Sequence, residues 1–253
     1  MSIYNITLIT MTALAVVVFV ALYFFKAGYG FLRTPEWGPS IPNRIGWVLM
    51  EAPIFITMLA LYLDSDRVGD PAIIVITLLF LTHYLQRTFI FPLLIRGESK
   101  MPLAIITMGM IFNFTNAYMQ GYWLYYLSPE DMYTIEWLKT PQFIIGTIIF
   151  IIGMVINLHS DYIIRHLRKP GDTAHYIPMG GMFKYVSSAN YFGEILEWLG
   201  FAILTWSLPG AVFLLWTCAN LVPRANSLYH KYAEEFGEEF TSLNRKRVFP
   251  FIY

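Results

Sequence analysis

Residues 73–94 read IIVITLLFLTHYLQRTFIFPLL. A bilayer-spanning helix needs roughly 20 predominantly apolar residues, and this run is long enough. Yet Arg87 sits inside it. A guanidinium at membrane depth costs about 2.5–3.5 kcal/mol on insertion scales unless it meets a partner or a polar cavity. Tyr84, three residues earlier, shares its helical face. The stretch therefore predicts a spanning helix that carries a buried polar site.

The rest of the chain has the same character. Its 253 residues are 57% apolar and only 13% charged, against about 25% charged in soluble domains. Further apolar runs predict seven spans, at about 4–25, 46–63, 72–95, 102–127, 142–163, 193–207 and 210–230. The first run is too long for a signal-peptide core and reads as a retained span. The division between the last two rests on the turn signal Ser207-Leu208-Pro209-Gly210. Six spans with one kinked final helix is the alternative. Lysine and arginine favour seven: fourteen fall on one side of that layout, two on the other, and Arg87 stays in the membrane. By the positive-inside rule the N-terminus lies outside and the C-terminus in the cytoplasm. The expected class is an all-α integral membrane protein, folded as a single membrane domain over residues 1–253. Zero net charge argues against nucleic acid as a partner, and the single Cys218 excludes an intrachain disulfide and a cysteine metal site. No metal is expected. No internal repeat argues for a transporter built on one. Asn113-Phe-Thr115 matches the glycosylation triplet, a match common by chance.

Four groups of residues could carry chemistry. Glu51 follows Trp47-Val48-Leu49-Met50, where desolvation favours a neutral acid able to donate a hydrogen bond. An interfacial glutamate near a helix start is the alternative. His83, Tyr84 and Arg87 form the second group. Tyr84 could donate to a carbonyl or be an ordinary membrane-helix tyrosine, and Arg87 could be half of a structural ion pair. In the third, Asn157, Asp161, Arg165 and Arg168 share one helical face that could grip phosphates or a ribose. Snorkelling arginines at a helix end are the alternative there. The fourth joins Asn190, Glu194 and Glu197 with Arg224 and Tyr232. The polar loop 164–192 is long enough to be functional. Arg245, Lys246 and Arg247 of the tail fit an anionic lipid surface better than a cofactor. With no GxGxxG after a strand and no P-loop, any nucleotide would be held by helix faces and the long loop.

The stretches NLHSDYIIRHLRKPGD at 157–172, IPMGGMFKYVSSANYFGEILEWLGFAILTWSLPG at 177–210 and PFIY at 250–253 closely resemble the steroid 5α-reductase family. HYLQRTF at 83–89 and the segment from Trp47 to Pro53 extend the resemblance into the first half. Departures are Gln86, where the family commonly has His, and Ser227-Leu228, in place of a His-containing stretch. The resemblance implies a seven-helix membrane enzyme that reduces the Δ4 double bond of 3-oxosteroids with NADPH. By motif position it implies Glu51 and Tyr84 as the catalytic pair contacting the 3-oxo group, with Trp47 in the substrate wall. It places the cofactor on Asn157, Asp161, Arg168, Asn190, Glu194, Arg224 and Tyr232, with Arg87 structural or in the cofactor shell. Residues 1–140 would then hold the substrate pocket and 141–253 the NADPH. The expected setting is multi-pass in the endoplasmic reticulum or a bacterial inner membrane, cofactor side cytoplasmic. A related reductase of enoyl-CoA, polyprenol or another sterol bond, a membrane methyltransferase, and a small channel or transporter are the competing readings.

Overall fold

The computed structural model describes the whole chain except residues 26, 27, 29, 33–36, 170, 171 and 173. Lys26 and Arg33 of the first basic segment, and Pro170 and Gly171 of the long loop, thus lie outside the described residues. Among the described residues seven long helices follow in order: α1 Ile3–Phe24, α2 Asn43–Asp64, α3 Pro71–Leu94, α4 Leu103–Tyr122, α5 Pro141–His166, α6 Ala189–Thr205 and α7 Leu208–Phe236. Each coincides with one expected span. Among the described residues the only sheet is a short ribbon, Ser40–Pro42 antiparallel to Lys100–Pro102 with Ile41 opposite Met101. It ties the entry of α2 to that of α4. The architecture is all-helical.

Local signals set the helix ends. Thr140 Oγ1 accepts from the Phe143 N–H at 3.3 Å, and Pro141 opens α5 where its missing N–H is harmless. Between α6 and α7, Trp206 takes a left-handed conformation (φ 47°), and Ser207 Oγ accepts from the Gly210 N–H at 3.2 Å. That reversal and fresh cap make two helices, so the single kinked helix does not occur. Inside α3 the backbone turns π-helical over Gln86–Ile90, around Arg87. Such turns are rare and are frequent at functional sites.

Among the described residues four helices, α1, α2, α3 and α5, are long and apolar enough to cross a membrane. Of the rest, α4 buries Asn113, Asn116 and Gln120, α6 carries Glu194 and Glu197, and α7 carries Arg224. The outer faces of α1 and α5 are open and apolar, with Val16, Val17, Ile145, Ile148 and Ile151 all exposed. An open patch of that kind marks a surface made for an apolar surrounding.

In lipid there is little apolar transfer energy to hold helices together, so close packing must do it. The α5–α6 contact is the closest. Gly146 and Gly153 of α5 lie against Gly200 and Gly193 of the antiparallel α6. A Cβ on Gly153 would stand 2.3 Å from the Glu197 nitrogen, and one on Gly193 2.4 Å from that of Asn157. The backbones touch along two turns with no side chain between them. Around this pair, Phe80 of α3 is fully buried, with ring centroids 4.9 Å from Tyr84, 5.6 Å from Trp198 and 5.2 Å from Phe201.

The tail corrects one expectation. Arg245 is buried and donates Nη1 to the Pro178 carbonyl at 2.7 Å. Arg247 donates Nε to Asn226 Oδ1 at 2.6 Å, and its guanidinium lies 4.8 Å from the Tyr253 ring centre. Lys246 pairs with the loop, its N–H donating to the Tyr185 carbonyl at 2.9 Å. Two of the three tail cations are thus internal clasps, not lipid anchors: Arg245 holds the C-terminus to the 178–188 loop and Arg247 holds it to α7.

Candidate active site

Arg87 is the hub. The π-helical turn sets its guanidinium 4.3 Å from the Trp47 ring centre and 4.5 Å from that of Phe91. Nη1 reaches Asp161 Oδ2 at 3.5 Å, and Nη2 lies 3.9 Å from Glu194 Oε2. Two aromatic faces and two carboxylates supply what a buried cation requires. The network continues: Asn190 Nδ2 donates to Asp161 Oδ1 at 3.3 Å, and Asn157 Nδ2 to the Asn190 carbonyl at 3.0 Å. The Asn157/Asp161 stripe of α5 and the Asn190/Glu194 pair of α6 thus meet across the glycine seam and converge on α3.

Glu51 stands on α2, one turn along from Trp47. Asn113 of α4 donates Nδ2 to Glu51 Oε2 at 3.0 Å and to the Met50 carbonyl at 2.7 Å. Tyr84 is buried under the aromatic cluster, and Asn116 of α4 lies beside its hydroxyl. His83 Nδ1 pairs with Glu197 Oε1 at 2.9 Å, with Glu197 fully buried. His83 also packs edge-on to Trp198, at 4.6 Å between ring centres.

Both groups open onto one cavity of about 1340 Å³. A single drug-sized ligand occupies a pocket of about 300–1,000 Å³, so there is room for two. Of the residues grouped as candidates for chemistry, all line it except Asn157, which sits behind the wall and holds Asn190, and Glu197, which is buried against His83. One end is Glu51, Tyr84 and Trp47 with apolar walls from α1, α4 and α7. The other end carries Arg165, Arg168, Arg224 and Tyr232. Arg224 is buried and donates Nε to the Tyr191 hydroxyl at 2.7 Å. Arg165 Nη1 is buried with no hydrogen-bond partner among the described residues. Over this end lies the long loop, through Asp172, His175 and Tyr176. The Ala174 N–H and the Tyr176 hydroxyl hold the Asp172 carboxyl below the usual carboxylate range. His175 Nδ1 meets Glu235 Oε1 of α7 at 2.5 Å, fastening the loop down.

The donor set at the basic end fits a phosphorylated dinucleotide. Clustered guanidiniums, one with an unsatisfied buried N–H, suit phosphate. Asn190 and the Asp161/Glu194 carboxylates deeper in suit the hydroxyls and amide of a nucleoside.

Asn113 and Asn116 were not expected at the site, nor Arg165 beyond its place on the stripe. The sequence signal for the first two is the spacing Asn113, Asn116, Gln120 in an otherwise apolar helix. Asn113 had matched only a glycosylation triplet, and its burial at 4% exposure excludes that use in the folded protein.

Comparison with known proteins points the same way. A family model described as 3-oxo-5-alpha-steroid 4-dehydrogenase matches residues 99–253. Steroid 5-alpha-reductase DET2 of Gossypium hirsutum is 38% identical, over 100% of this chain and 98% of that protein. The 3-oxo-5-alpha-steroid 4-dehydrogenase 1 of Mus musculus is 42% identical over 94% of this chain and 92% of its own. That of Homo sapiens is 40% identical over 89% and 86%. With likeness at this level running through both ends of the cavity, the chain belongs to the 3-oxo-5-alpha-steroid 4-dehydrogenase, or steroid 5α-reductase, family.

Proposed function

We propose that this protein reduces the Δ4 double bond of 3-oxosteroids to give 5α-3-oxosteroids, with NADPH as the reductant. One arrangement carries this reading: a carboxyl and a phenol, Glu51 and Tyr84, share an apolar cavity that ends in a cluster of guanidiniums. NADPH bound at the guanidinium end supplies a hydride. Arg168 and Arg224 would hold its phosphates, with Tyr232 beside them. Asp161, Asn190 and Glu194 would orient the part nearer the steroid, Asn157 acting through Asn190, and Arg87 would bridge the two carboxylates.

The polypeptide's chemical part lies at the other end. Reduction at C5 of a conjugated enone moves negative charge onto the 3-oxo oxygen, and a proton is then needed at C4. Glu51 and Tyr84 donate hydrogen bonds to that oxygen, and donors placed before the reaction stabilise the charge as it develops. The apolar walls at this end would shield those bonds from water, which strengthens them. Trp47 forms part of the substrate wall. Purified protein in nanodiscs should oxidise NADPH only when a Δ4-3-oxosteroid is added, with the 5α-3-oxosteroid identified by mass spectrometry. Folded protein that yields no such product would overturn the assignment.

We further infer seven spans with the N-terminus outside and the cofactor side in the cytoplasm. The seven helices and the fourteen-to-two basic asymmetry support this layout.

The division of labour along the cavity is testable. Arg168→Ala and Arg224→Ala should each raise the Kd for NADPH about ten- to hundredfold, the range for a lost charge-assisted bond. Steroid affinity should stay within about threefold, because the apolar end is untouched. Fluorescence titration of NADPH, with steroid KM at saturating cofactor, separates the two. Equal losses for both ligands would mean that the guanidiniums hold the fold rather than the cofactor.

A further inference from the structure

The three polar residues buried in α4, Asn113, Asn116 and Gln120, have no part in the reaction described so far. Their amide orientations follow from main-chain carbonyls, which can only accept. Asn113 Nδ2 faces the Met50 carbonyl at 2.7 Å, so the same nitrogen gives its second N–H to Glu51 Oε2 at 3.0 Å. Gln120 Nε2 faces the Pro209 carbonyl at 2.8 Å, and its second N–H goes to Asn116 Oδ1 at 3.1 Å. Asn116 therefore turns its own Nδ2 the other way. Among the described residues that nitrogen is buried with no hydrogen bond of good geometry, and the Tyr84 side chain is beside it.

We propose that Asn113 and Asn116 set the direction of proton donation in the Glu51/Tyr84 pair: each presents an N–H to the oxygen it faces, leaving that group's own hydrogen for the substrate. The inference rests on the function proposed above. A tyrosine hydroxyl has one hydrogen and two lone pairs. An acceptor beside it would capture the hydrogen; a donor beside it leaves the hydrogen for the cavity. For Glu51 as a neutral acid, an N–H at Oε2 puts the proton on Oε1. Both groups then offer donors to one carbonyl oxygen, as an enone needs when charge develops there. An unpartnered buried N–H is unfavourable, and the Tyr84 phenol oxygen is the acceptor that would satisfy the one on Asn116. Asn116 lies outside the cavity wall and is fully buried, so it acts through Tyr84 as a positioning residue.

The test uses full-length protein with NADPH bound and a Δ4-3-oxosteroid, read by single-turnover NADPH oxidation with separate steroid and NADPH affinities. Asn116→Leu removes the donor at similar volume. It should slow single turnover about tenfold, the size of one lost neutral hydrogen bond, with both affinities within about threefold of wild type. Asn116→Asp keeps the shape but turns an acceptor toward Tyr84, and should be slower still. Asn116→Ser restores a donor and should recover to within about threefold of wild type. Asn113→Leu should slow turnover in the same way through Glu51. An Asn116→Leu enzyme with an unchanged single-turnover rate overturns the inference while leaving the function standing. So do Leu and Ser variants slowed equally with lowered melting temperatures, which would mark a packing role. If the Leu variant does not fold, Asp and Ser variants of equal rate overturn it, and a slow Asp with a fast Ser supports it. A folded wild type without steroid turnover overturns both readings together.

Discussion

Glu51→Gln is expected to lower the single-turnover rate about a hundredfold, the lower end of what removing a donor to a developing oxyanion costs. The side chains have the same shape, so the packing around position 51 survives. The Asn113 N–H that faces Glu51 Oε2 requires an acceptor there, which obliges the glutamine to present its carbonyl to Asn113 and its NH2 to the substrate. Some donation therefore remains, but from an amide, which gives up positive charge far less readily than a carboxylic acid. NADPH affinity should change less than about threefold, since the guanidinium end is untouched. Stopped-flow oxidation of NADPH at saturating steroid reads the chemical step, and fluorescence titration reads the cofactor. Near wild-type single turnover would remove Glu51 from catalysis, while a large parallel loss of NADPH affinity would show that Glu51 holds the network around Arg87 together.

The helices were legible because a bilayer demands long apolar runs, and Pro141, Ser207 and Pro209 mark their ends by chemistry that acts within a few residues. Even the division of α6 from α7 follows from a local signal. Contacts between helices were not legible in the same way. Arg87 announces that a partner exists, yet which acids answer it depends on a π-helical turn and on how closely α5 approaches α6. His83 and Glu197 each stand out alone, but nothing in their spacing links residues on separate helices. The spacing puts Asn157, Asp161 and Arg165 on one helix, but α5 ends at His166, so Arg168 reaches the cavity from beyond the helix, and the depth at which Asn157 drops behind the wall is a property of packing. Arg245 and Arg247 show the converse failure. A basic tail beside a membrane reads as a lipid anchor until the 178–188 loop supplies an acceptor for Arg245 and α7 one for Arg247.

Gly193→Ala is expected to destabilise the protein by at least about 3 kcal/mol, the upper end for overpacking, and to lower its melting temperature in detergent by roughly 6–12 °C. In an open helix the same change would be favourable by about 1 kcal/mol. Here the new Cβ would lie 2.4 Å from the Asn157 nitrogen and 2.8 Å from the Gly153 carbonyl oxygen. Both are backbone atoms, which cannot swing aside as a side chain would, so α5 and α6 must separate. Separation would loosen the packing that lipid cannot replace. It would also stretch the bonds from Asn157 to the Asn190 carbonyl and from Asn190 to Asp161, so NADPH affinity should fall with stability. Gly153→Ala faces the Glu197 nitrogen at 2.3 Å and should behave alike. The two lie on the same seam, so the double variant should cost less than the sum, because helices already pushed apart by one methyl make room for the other. Gly69→Ala is the control, since its Cβ would meet nothing within 4 Å. Thermal unfolding of the four proteins side by side decides the matter. A Gly193→Ala protein as stable as Gly69→Ala would mean that α5 and α6 do not meet backbone to backbone, and that the convergence of their polar residues on Arg87 needs another explanation.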